Sequence, residues 1–98
     1  MIRAIEDVVA EREAQIGREG FSYTHDNEHN NSEMAIAAAC YADPGRKMSD
    51  HYPCPAAWPW EPRWWKPKDR RRDLVRAAAL IIAEIERLDR TSVNGSKD

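Results

Sequence analysis

The sequence predicts an all-α fold: a single domain of three helices, with a Pro/Trp-rich irregular crossover between helices two and three. Three observations lead there. Leu74, Ala78, Ile81, Ile85 and Leu88 are spaced 4-3-4-3, the rhythm of a helical seam. Ile2, Ile5, Val9 and Ile16 fall on one face of a second helical stretch near the start. No segment alternates apolar and polar residues as a half-buried strand does.

The first helix is expected over about residues 2–18, ended by Gly20. Its aliphatic face, with Val8 beside it, is expected to meet the core. Arg3, Glu6, Asp7, Glu11, Arg12 and Glu13 are expected to form a solvated face. The second helix starts where "THDNEHNNSE" turns apolar. Asn30 or Ser32 can cap it, and Glu33 follows Asn30 at capping-box distance. It runs to about Ala42 and stops at "DPG". Ala35, Ala37, Ala38 and Ala39 leave little side-chain volume, so other helices can approach closely. This helix is expected to be central and buried. The third helix takes Pro67 in its first turn and runs to about Arg90, with the 4-3-4-3 seam as the backbone of the core. Residues 1–90 are then the helical domain, and "TSVNGSKD" at 91–98 is a frayed tail.

Ninety-eight residues leave room for one domain, and a chain this short gains from a partner subunit, so a homo-oligomer suits it. The formal net charge of −2 is unevenly placed. Residues 1–60 hold five Lys/Arg and ten Asp/Glu, a net of −5; residues 61–98 hold ten and seven, a net of +3. This balance argues against general coating of nucleic acid but allows a local anion site in the second half. No apolar run approaches the roughly 20 residues of a membrane span. The charged N-terminus lacks a secretory core, so the cytosol is the expected compartment. There, Cys40 and Cys54 are expected to be free packing thiols, with Cys54, between two prolines, the more reactive.

All eight aromatic residues lie between Phe21 and Trp65, so the aromatic material sits mostly in the connections. The stretch "AWPWEPRWWKPKDRRRD" gathers Trp58, Trp60, Trp64 and Trp65 beside Arg63, Lys66, Lys68, Arg70, Arg71 and Arg72. Its prolines stiffen it. Two roles compete: a wedge that pins the loop to the helices, or a binding surface. Indoles beside guanidinium groups can hold a base and its phosphates, and the N-terminus of the third helix adds free N–H groups. Asp69 and Asp73 can instead pair with those arginines. The candidate ligand residues are Tyr23, the four tryptophans and Arg70, Arg71 and Arg72.

"HDNEH" at 25–29 is the other candidate. His25, Asp26 and His29, with Glu33, form a metal-capable set, the histidines at i,i+4. Asp26 stands where the HExxH motif needs Glu, so a hydrogen-bonded turn is the simpler role. No cofactor is expected, a divalent metal at this set being the alternative.

Nearly the whole chain, residues 8–90, resembles a family of small uncharacterised proteins encoded by bacteriophages and prophages. The residues that carry this are "AERE.QI..EGF...HD.EH...E.A.AAACYA" and "WPW.P.WWKPKDRRRDLVRAAALIIAEIERLDR". The order of "EGFSYTHDNEH", "HYPCPAAW" and "KPKDRRRDLVRAAALI" is similar to the ryanodine-receptor repeat domain. Gly20, Phe21 and Tyr23 match its first turn, and His51 and Pro53 its His-Pro segment with a tyrosine inserted. That likeness implies a nucleotide-type ligand. Three functions follow as expectations. The first is a non-enzymatic phage-type accessory protein that binds a small phosphorylated ligand or a host protein, blunting a host defence in the host cytosol. The second is a metal-dependent nucleotide hydrolase centred on His25, Asp26, His29 and Glu33. The third is a purely protein-binding inhibitor.

Overall fold

The structure, a computed structural model, describes residues 2–18 and 32–95; of residues 16–18 and 91–95 it describes the backbone alone. Among the described residues there are three α-helices and no strand. These are α1 (Ile2–Arg18), α2 (Glu33–Ala42) and α3 (Arg70–Gly95). The all-α fold is as the sequence predicts. α3 begins later than expected and runs past Arg90. Pro67 lies outside it, and Asp69 caps it by accepting the Arg72 N–H at 2.9 Å.

α2 is rich in alanine, the best helix former. It enters through Ser32 at φ 68°, a left-handed conformation in which the side chain makes no cap bond. It ends where Asp43, preceding a proline, turns extended. The Asp43 carboxylate then accepts the Gly45 N–H at 2.9 Å and closes the turn. Residues 43–69 are irregular apart from a 3-10 turn, Pro62–Trp64, and an isolated bridge between Met48 and Pro55.

Among the described residues α3 packs against both α1 and α2, which do not meet each other. The central helix is therefore α3 rather than α2. Its core face is not the expected one. The buried residues are Asp73, Val75, Arg76, Ala77, Ala79, Leu80 and Ala83, while Leu74, Ile81, Ile85 and Leu88 are 42%, 47%, 51% and 50% exposed. The reason is steric. The buried residues of α2 include Ala37 and Ala38, so its backbone comes close to α3 only where α3 also carries small side chains. Ala77, in the same buried cluster as Ala37 and Ala38, meets that demand, and the large aliphatics turn outward.

α1 departs in the same way. Ile2, Ile5 and Val9 are exposed, and Glu11, Arg12 and Gln15 are buried. The α1–α3 contact is built of charge. Asp7 pairs with Arg71 at 2.9 Å, Arg12 with Glu86 at 2.9 Å, and Glu11 with Arg72 and Arg76. The side expected to be solvated is thus partly the packing side.

Candidate functional site

The tryptophan loop is organised by Tyr41, which α2 delivers to the centre of the aromatic cluster. Trp65 stacks on its ring at 4.5 Å between centroids, with the planes 27° apart. Trp58 meets Tyr41 edge-on at 5.6 Å, Trp65 at 5.0 Å and Trp60 at 5.4 Å. The Tyr41 hydroxyl accepts the Lys66 N–H at 3.1 Å and a guanidinium N–H of Arg76 at 3.3 Å. The prolines and turns set the loop against this hub: Trp58 Nε1 donates to the Glu61 carbonyl at 3.0 Å, and Trp65 N–H to that of Pro62 at 3.0 Å.

Trp58 and Trp65 are buried and Trp60 is partly buried against the same cluster. Arg46 covers Trp65, its guanidinium carbon 4.9 Å from the ring centroid. A base therefore has no open face of Trp65 to stack on. A small, partly open pocket lined by Gln15, Tyr41, Trp58, Trp60 and Leu80, with Trp64, Lys66 and Arg76, holds about 20 Å³. That is room for about one water. The buried Oε1 of Gln15 has no hydrogen-bond partner among the described residues and would accept from such a water.

Trp64 is different. It is 42% exposed, with the Arg63 guanidinium 5.2 Å and the Lys66 ammonium 5.3 Å from its ring centroid. Arg63 also pairs with Glu61 at 2.8 Å, so its position is held from a second side.

The expected arginine cluster divides. Arg71 and Arg72 are engaged with α1, and Arg70 is exposed without an ion pair among the described residues. The N-terminus of α3 is already filled by its own carboxylates. Asp69 takes the Arg72 N–H, and Asp73 takes the Lys68 N–H at 2.7 Å. The chain's own acids therefore occupy the place where a phosphate was expected to dock.

Tyr23, His25, Asp26 and His29 lie outside the described residues. Glu33 is in the first turn of α2. Among the described residues no group of three or more His, Cys, Asp or Glu could hold a metal. Both cysteines are free and buried, Cys40 at 4% and Cys54 at 5% exposure. Burial pushes the Cys40 thiol above its ordinary value of 9.0, with Arg46 acting the other way.

A second feature is an open groove of about 430 Å³ between α2 and the loop. Its walls are mostly apolar, from Ile36, Ala39, Pro55 and Ala56, and Arg46 and Lys47 bring two cations to it against the one carboxylate of Asp43. Sequence reasoning had passed over Tyr41, Arg46 and Lys47. The signal for Tyr41 was present: it is the only aromatic residue on an alanine-rich helix.

No known family model, curated protein or solved structure matches the chain. No described helix is long and apolar enough to cross a membrane.

Proposed function

We propose that this chain is a non-enzymatic binding protein that holds an acidic segment of another protein on the Trp64 surface. One observation carries this: of four tryptophans, three are spent on the aromatic cluster while Trp64 stays open beside two cations. Tryptophan and arginine are the residues most enriched where interfaces concentrate their binding energy. The exposed Lys68 and Arg70 follow closely and extend the positive charge. Carboxylates of the partner would meet Arg63 and Lys66, and an apolar side chain would cover the indole. The setting is that of a phage-type accessory protein that binds a host protein and so blunts a host defence. In this form it is an inhibitor that works by contact.

The groove beside Arg46 and Lys47 favours a second reading, a small phosphorylated ligand of nucleotide type. Its volume of about 430 Å³ lies within the roughly 300–1,000 Å³ of small-molecule sites. The phosphate would take the two cations, and the apolar walls would hold a ring.

Calorimetry separates the two, with Asp/Glu-rich peptides carrying one aromatic residue as one probe set and mono-, di- and cyclic nucleotides as the other. Saturable peptide binding that Trp64→Ala weakens about tenfold or more supports the protein-binding reading. Nucleotide binding that Arg46→Ala abolishes and Trp64→Ala spares supports the second. Binding by neither set removes both.

A further inference from the structure

The chain buries its alanines and exposes its isoleucines. Ala37, Ala38, Ala77, Ala79 and Ala83 are all within the core, while Leu74, Ile81, Ile85 and Leu88 stand about half exposed on α3. These four, with the partly buried Ala78, keep the 4-3-4-3 spacing of a seam over roughly 21 Å of helix. The packing of α3 on α1 and α2 leaves about half of each of these large side chains uncovered. Helices that merely face solvent carry polar side chains there. Large aliphatics in heptad rhythm are the pattern of a helix that packs on another such helix.

We propose that α3 pairs in antiparallel fashion with α3 of a second copy of this chain, giving a two-fold symmetric dimer. The occupant follows from register and charge. An antiparallel seam sets Leu74 opposite Ile85 of the second copy and Ala78 opposite its Ile81, small against large in the central layers. The same register brings Arg70 level with Asp89 of the second copy at both ends. Neither Arg70 nor Asp89 has an ion pair among the described residues. The other charges at the two ends are mostly held within the chain, Arg71 by Asp7, Arg72 by Glu11, Glu86 by Arg12 and Glu84 by Arg87, so Arg70 and Asp89 are the pair that a second copy would meet. A parallel pair would set like ends together; an antiparallel pair sets unlike ends together and also opposes the helix dipoles. The register is self-complementary over Leu74, Ala78, Ile81 and Ile85, as two-fold symmetry requires, and Leu88 lies beyond that stretch, level with Arg71 of the second copy. Arg70 is shared with the positive rim of the Trp64 surface, but Arg63, Trp64 and Lys66 take no part in the dimer, so Trp64→Ala tests that surface apart from it.

The test is sedimentation equilibrium of the full chain with circular dichroism on the same samples. The wild type is expected at twice its 11.3 kDa mass. Ile81→Glu is expected to be monomeric, its dimer dissociation constant raised about 100-fold or more, with its helical signal kept because residue 81 faces outward. Arg70→Glu should weaken the dimer, and adding Asp89→Arg should restore it. A monomeric wild type overturns the proposal, and so does a dimer that survives Ile81→Glu. Loss of helix in Ile81→Glu would place residue 81 in the chain's own core and overturn it equally. Failure of the charge exchange to restore the dimer would overturn the antiparallel arrangement.

Discussion

The ring of Tyr41 lies under that of Trp65, centroids 4.5 Å apart, while its hydroxyl accepts the backbone N–H of the next residue, Lys66. One side chain thus fixes both the face and the exit of the loop. Arg76 adds a donor to the same hydroxyl and sits 5.4 Å from the ring centroid. Arg76 also faces Glu11 of α1 at 3.7 Å. A chain of contacts therefore runs from α1 through α3 to α2 and the loop, although α1 and α2 do not meet among the described residues.

Tyr41→Phe keeps the stack and removes the acceptor. The Lys66 N–H then loses that acceptor in a partly buried site. The expected cost is about 1–3 kcal/mol, read by urea unfolding at fixed protein concentration. A change too small to measure would mean that water replaces the hydroxyl.

Trp65→Ala and Trp64→Ala should separate stability from binding. Trp65 is closed in by Tyr41, Trp58 and Arg46, so its removal is expected to cost about 3–5 kcal/mol. Trp64 is open, and its removal should change stability by no more than about 0.5 kcal/mol while weakening binding of the acidic peptide. Equal destabilisation by the two would make Trp64 part of the wedge and remove the proposed surface.

The helices were legible in the sequence because periodicity reports amphipathic helices well. What periodicity could not report was which face turns inward. The seam through Leu74, Ile81 and Ile85 is the strongest apolar signal in the chain, and it faces out. A pattern of large aliphatics reads the same whether it packs within the chain or against another copy. The core face is carried by alanines, which weigh little in any hydrophobic count, and by Asp73 and Arg76, which weigh against it. The site was half legible. The loop's tryptophans and prolines marked it, but whether a given indole is wedge or surface depends on Tyr41, which is far away in sequence. The arginines misled because their partners, Asp7 and Glu11, lie on another helix.

Glu11 tests the charged α1–α3 contact. Its side chain is 1% exposed and faces both Arg72 and Arg76. Glu11→Ala leaves the buried Arg76 without that carboxylate, and the expected loss is about 3–5 kcal/mol. Ile5→Ala, on the exposed side of α1, should cost no more than about 0.5 kcal/mol in the same urea experiment. The reverse order, a costly isoleucine and a cheap glutamate, would return α1 to the orientation that its amphipathic pattern suggests.

Cys40 offers a pH-dependent readout of the α2 packing. Burial raises its thiol above 9.0, Arg46 pulls it down, and Cys54 and Asp43 add to the rise. The thiolate is the reactive form, so a raised value means less of it at neutral pH. Labelling of native Cys40 should be much slower than labelling of the urea-unfolded chain at the same pH, and should climb only at alkaline pH. The stability sign follows. The folded state holds the proton more tightly than the unfolded state, so this contribution is fully present below the unfolded value and is lost as pH rises through the raised folded value. Cys40→Ala should therefore flatten the alkaline fall in stability. Arg46→Ala removes the group that favours the thiolate, so it should slow the labelling of Cys40 further, provided that the loop stays closed. Faster labelling in Arg46→Ala would instead mean that Arg46 holds the groove shut over Cys40, with access rather than charge setting the rate. The two outcomes are told apart by whether the rate still follows pH as a single titration.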